Sequence, residues 1–179
     1  MKRGVTDLIG CYLALSVAVC ASSETGVAAT AAGQASTELA GAWRLVLTPN
    51  PGSGPDAVSI MHTADTTKSD LELAGLMIRC SSGRPELAIV LLRAFPIRAR
   101  PVVRLGAPGH ETRFEATVSP PGTAISVPGD PKAIVAGAWQ SESDLSIHVI
   151  DGQTTISGVV PLTGLQSAFN VLVANCPRP

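Results

Sequence analysis

A chain of 179 residues with 13 Lys and Arg against 14 Asp and Glu carries a formal charge of −1. That balance argues against a general nucleic-acid binder, which needs a basic surface to displace counterions. Aromatic residues make up only 3% of the sequence, too few to fill a core and also line a stacking surface for bases or sugar rings.

Lys2 and Arg3 give a short positive start, and Leu8 to Ala21 is an apolar run of signal-peptide length. It is shorter than the roughly 20 apolar residues a membrane-spanning helix needs. Small residues at Ala21, Ser23 and Ala29 offer cleavage points, and residues 1–23 are assigned to the signal. Lipid attachment is not expected, because Cys20 follows the bulky Val19 and Cys11 has almost no apolar core ahead of it. Residues 24–41 are small and polar without sustained periodicity, the pattern of a flexible leader. Residues 42–179 then make a single β-rich domain with one core. No later apolar stretch is long enough to cross a membrane, so no span is expected after cleavage.

Nine short runs rich in Val, Ile or Leu are separated by Gly, Pro, Ser or Asp clusters and read as strands. They are Trp43–Thr48, Ala57–His62, Ala74–Cys80, Glu86–Arg93, Pro101–Leu105, Thr112–Val118, Ala124–Val127, Leu145–Ile150 and Thr154–Val160. Such spacing predicts an antiparallel β-sandwich or a partly open barrel. Asp151-Gly152 marks a hairpin turn between the last two strands. Pro96 and Pro101 remove ladder donors and place "AFPIRARP" at a sheet edge or in a loop.

Two helices are expected. Asp130 as cap and Pro131 in the first turn predict a short helix near 131–137. In "LTGLQSAFNVLVANC", Thr163 and Gln166 have capping-box spacing. Leu165, Ala168, Phe169 and Leu172 recur at offsets of three and four, so this helix buries one face on the sheet. With Cys11 and Cys20 lost with the signal, Cys80 and Cys176 are the only candidates for a pair. Their disulfide would pin the second helix to the strand ending at Cys80. No Cys-x-x-Cys or His-x₃-His spacing supports a zinc site.

The residues that carry chemistry are few. His148 alternates with Leu145, Ile147 and Val149 and so faces outward with Ser146, as a solvated strand histidine does. His62 opens "HTADTTKSD", where Asp65 and Asp70 suit either a hard cation or turns built on their own side chains. No Gly-x-Ser-x-Gly occurs, and "CSSG" at 80–83 reads as a turn. No glycine-rich loop opens a helix in a βα unit, which disfavours nucleotides. No catalytic, cofactor or metal residue is assigned.

The arginines are unevenly spread. Seven lie between Arg79 and Arg113, against Glu86 and Glu111. Arg98, Arg100 and Arg104 share strand parity, with Arg93 and Arg113 close in sequence. A guanidinium donates two parallel hydrogen bonds to a carboxylate or phosphate, so these five residues are the candidate surface for an anionic protein or envelope polymer. A charged edge that blocks strand-to-strand aggregation explains the same residues.

Strand-end Cys80, central Trp139 and then "VVPLTGLQSAFNVLVANC" ending in Cys176 make a pattern with a family likeness. It resembles small exported β-sandwich proteins of Gram-negative bacteria, including those associated with type VI secretion and the invasion-associated locus B group. The likeness runs from Cys80 to Cys176 and rests on spacing; "QSESDLSIHV" after Trp139 lacks the aromatics expected there. It implies an accessory envelope or secretion protein without known catalysis, and carries over no functional residue except the disulfide. The expected function is therefore a periplasmic or secreted, non-enzymatic domain that binds an anionic partner through its arginines. A small periplasmic hydrolase with a dispersed site, and a secreted effector or inhibitor acting on a protein, are the alternatives.

Overall fold

Alternation of apolar and polar residues sends successive side chains to opposite faces of a strand, and most of this chain obeys it. The computed structural model describes residues 34–177, except Pro51, Ser53, Pro108 and Gln153. The signal assigned to residues 1–23, with Cys11 and Cys20, lies outside the described residues, as does the leader up to residue 33.

The strands are β1 (Ala35–Glu38), β2 (Arg44–Thr48), β3 (Ala57–Thr63), β4 (Leu73–Ser81), β5 (Arg84–Leu91), β6 (Val102–Ala107) and β7 (His110–Glu115). They continue with β8 (Thr117–Ser119), β9 (Ala124–Val127), β10 (Asp144–Asp151) and β11 (Thr154–Pro161). Helix α1 (Pro131–Ala136) precedes β10, and α2 (Leu165–Asn175) follows β11. One sheet has the order β1-β2-β3-β4-β5-β9-β8 and the other β11-β10-β6-β7. Every pairing is antiparallel. The fold is mainly β, with two open sheets and no closed barrel.

Register explains the core. Ile60 pairs with Ile78, Ile78 with Leu87, and Ile89 with Ile125, so the inward face of β3, β4, β5 and β9 is mainly aliphatic. In the smaller sheet Leu105 pairs with Ile147, Val103 with Val149, and Val149 with Ile156. These side chains are buried and join one cluster with Trp43, Phe95, Trp139 and Phe169. Burying each such aliphatic is worth about 1.5–3 kcal/mol.

Three local features differ from the sequence expectations. Thr112–Val118 is two strands, because the chain changes sheets at buried Ala116, whose N–H donates to Pro101 O at 3.0 Å; such corners join the layers of a sandwich. Strand β1 falls within the segment assigned to a leader: its four residues are all exposed, and it holds to β2 through backbone pairing rather than an apolar face. The capping box at Thr163 does not form. The N-cap is Gly164, at φ 82° with no side-chain cap, because the backbone at Ala40–Gly41 crosses there and leaves no room for a Cβ. In α1, by contrast, Asp130 accepts from Lys132 N–H at 3.0 Å as expected.

The disulfide is present. Cys80 and Cys176 are bonded, with Cα atoms 5.6 Å apart and a sequence separation of 96. It fastens the end of α2 to β4, while the body of α2 lies over β2, β3 and β4.

Candidate functional site

The outward face of the smaller sheet collects polar residues that are far apart in sequence. Ser157 pairs with His148, His148 with Arg104, and Arg104 with Arg113, so the four stand in one row across β11, β10, β6 and β7. A neighbouring row brings Ser146 opposite Gly106, and Gly106 opposite Glu111. His148 Nδ1 lies 3.0 Å from Ser157 Oγ, and its Nε2 lies 3.2 Å from Ser146 Oγ and 4.0 Å from Glu111 Oε1. The Gly109 amide, donating to Glu111 at 3.1 Å, is the main reason that carboxyl sits below its usual range.

This cluster has the residue types of a hydrolytic triad without its geometry. A triad needs the nucleophile on one ring nitrogen and the orienting acid on the other. Here Ser157 and Glu111 stand on opposite nitrogens, but Glu111 is 4.0 Å away, beyond hydrogen-bond reach, and the nearer group on that nitrogen is Ser146 at 3.2 Å. Ser146 is moreover 92% covered within the strand face. Polar packing on a half-exposed sheet accounts for the arrangement.

The loop from His62 to Asp70 is a strap over the edge of β11. Asp65 N–H donates to Val159 O at 2.8 Å, Asp70 N–H to Ser157 O at 2.9 Å, and Ser157 N–H to the Asp70 carboxylate at 2.7 Å. Asp65 instead accepts from the Thr67 hydroxyl and amide at 2.6 and 2.9 Å, which lowers its pKa. The two carboxylates are thus spent on turn and edge, not gathered round a cation. His62 belongs to β3 and is buried, 2.7 Å from Thr63 O and 2.9 Å from Gly41 O, with its ring 5.2 Å from that of Trp43. Among the described residues no three His, Cys, Asp or Glu side chains gather where they would hold a metal.

All five candidate arginines are exposed, and they separate into two groups. Arg104 and Arg113 face each other across β6 and β7. Arg93, Arg98 and Arg100 lie in the connection between β5 and β6, so the shared strand parity of Arg98 and Arg100 with Arg104 is not realised. Arg93 is 3.2 Å from Glu72 and lies over the Phe95 ring at 5.9 Å, and Arg100 donates to Ala99 O at 3.1 Å. Arg79 is tied to Glu86, Ser119 and Ser126. Sequence reasoning missed Glu111 and Ser157 as neighbours of His148, and Asp70 as a partner of the Ser157 backbone, because cross-strand register leaves no local signature. The turn at Gly109 between "RLGA" and "HETR" was the one usable signal. Two hollows of about 400 Å³ also indent the surface, one beside Glu86, Glu115, Thr117 and Ser126, the other between α1 and α2 beside Lys132, Phe169 and Val173. Neither brings a serine and a histidine together.

No family model matches the sequence, and no curated protein matches it. Among solved structures, the chain is similar to an invasion associated protein B from Bartonella henselae, with a TM-score of 0.51 and 12% identity. The match covers 78% of this chain and 95% of that one. The likeness read from the Cys80 to Cys176 pattern is therefore a likeness of fold.

Proposed function

We propose that this is an exported domain, acting in the periplasm or beyond the cell, that holds an anionic partner on its arginine-bearing surface and performs no chemistry of its own. One observation carries the reading: Arg104 and Arg113 stand directly opposite each other on an exposed sheet face. Neither makes an ion pair among the described residues. Like charges opposed across a ladder destabilise a sheet. A fold that keeps such a pair without neutralising it has a use for it, and local rules are broken most often at functional sites. Two adjacent guanidinium forks match the oxygens of a carboxylate or phosphate run. Export is supported by the signal-like N-terminus and by a disulfide that reducing compartments do not maintain.

The test is retention on immobilised polyglutamate across a salt gradient. The double variant Arg104→Gln/Arg113→Gln should elute at clearly lower salt than the parent, with unchanged thermal unfolding. Equal retention of variant and parent would refute the reading.

A further inference from the structure

The connection between β5 and β6 has a second character besides its charge. Among the described residues, three of the four large aliphatic side chains that stand in solvent are tied to this connection: Leu71 is 81% exposed, Leu92 72% and Ile97 52%. Strand pairing brings Leu71 beside Leu92, and Ile97 follows five residues later in the same connection. Leu92 N–H donates to Glu72 O at 2.9 Å, and Leu73 pairs with Leu91, so Leu71 flanks the start of the connection. Phe95 N–H donates to Gly122 O at 2.9 Å, and Ala99 N–H to Pro96 O at 2.8 Å, which folds residues 95–99 into a turn with Ile97 at its tip. The stretch from Leu92 to Pro101 contains three arginines and no carboxylate. Of the acidic groups around it, Glu72 is paired with Arg93 and Asp70 accepts from Ser157 N–H, while Asp151 stands beside Arg93 across a hollow of about 250 Å³. Arg98 and Arg100 have no ion-pair partner among the described residues.

We propose that this end of the domain docks on an anionic membrane surface, with Leu71, Leu92 and Ile97 entering the headgroup region and Arg98 and Arg100 holding lipid phosphates. Aliphatic side chains beside arginines are the composition of interfacial membrane binders, and each arginine near an anionic leaflet strengthens attachment. An acidic protein is the weaker occupant. A stable protein interface needs on the order of 1,200 Å² of matched surface, and isolated side chains projecting from loops supply little of it. A bilayer interface deforms around each one. The inference uses a surface other than the Arg104–Arg113 row, so it stands or falls independently of the polyanion reading above.

The test uses the full chain carrying Ile97→Trp, since Trp43 and Trp139 are 0% and 5% exposed and give a buried background. With vesicles of phosphatidylglycerol and phosphatidylcholine, the indole introduced at position 97 should shift to the blue and be quenched by brominated acyl chains. Adding Arg98→Gln and Arg100→Gln should weaken this binding about fivefold per arginine, and Leu71→Ser with Leu92→Ser by about tenfold or more. Polyglutamate added without lipid should leave the emission unchanged. Sedimentation with vesicles while that indole stays unquenched would mean attachment through the N-terminal apolar run and would overturn the proposal. So would equal quenching on phosphatidylcholine alone, or a saturable response to polyglutamate with none to vesicles.

Discussion

The two sides of this domain are built on opposite plans. Where α2 crosses β2, β3 and β4, its buried apolar face is reinforced by the Cys80–Cys176 bond, the Gly41–Gly164 backbone crossing, and the His62 ring between two carbonyls. At the connection between β5 and β6, Phe95 is the buried anchor and a few backbone bonds hold the chain, while most of the charged and aliphatic side chains stand in solvent. The first region secures the fold and has little to offer a partner. The second contributes little to stability and is free to bind. On the proposed reading stability and recognition are separated in space, so substitutions should divide between them.

The largest separation is expected from the disulfide. Removing it with Cys80→Ala and Cys176→Ala should cost about 2–4 kcal/mol, read from denaturant midpoints. Membrane docking at 10–20 °C below the new midpoint should persist, because the loop end makes no contact with that bond; joint loss of both properties would break the division. Next in size is His62→Leu, which removes the ring N–H that one of the carbonyls of Thr63 and Gly41 accepts beside Trp43 and should cost about 1–3 kcal/mol, again with vesicle binding unchanged. A loss below about 0.5 kcal/mol would show that His62 does not hold the Gly41 crossing. The smallest effect is a pH dependence. Asp65 and Glu111 have folded pKa values below the ordinary 3.8 and 4.5, through the Thr67 and Gly109 hydrogen bonds respectively. Their contribution is present above those ordinary values and is lost as pH falls through the lower folded ones. Asp65→Asn should therefore lower stability slightly at neutral pH, match the parent once pH falls well below about 4, and so flatten the acid limb; an identical acid limb would show that the Thr67 contacts are not kept in solution.

Strands were legible wherever they bury a face. Leu145, Ile147 and Val149 announce β10 because one side must be dry, whereas "ASTE" in β1 has no apolar residue to reveal that its backbone is paired. The helix after β11 was legible from Leu165, Ala168, Phe169 and Leu172, but its start was not. Gly164 replaces the expected Thr163 cap because a distant segment crosses there, and long-range approach leaves no local trace. The same limit governs the surface. Clustering of arginines can be counted in the sequence, yet their division into a sheet row and a loop group depends on where β6 begins, at Val102. Chain order could not reveal that Arg104 would face Arg113, or that Leu71 would flank Leu92.

Cys80 is followed by 95 residues without a second thiol before Cys176 arrives. In a chain delivered N-terminus first, that sulfur must wait unpaired while the whole smaller sheet is made. Any earlier cysteine still attached, at positions 11 or 20, is therefore its nearest competitor in time. Removing the signal segment before residue 176 emerges would leave a single way to oxidise the protein, without an isomerase to sort alternatives.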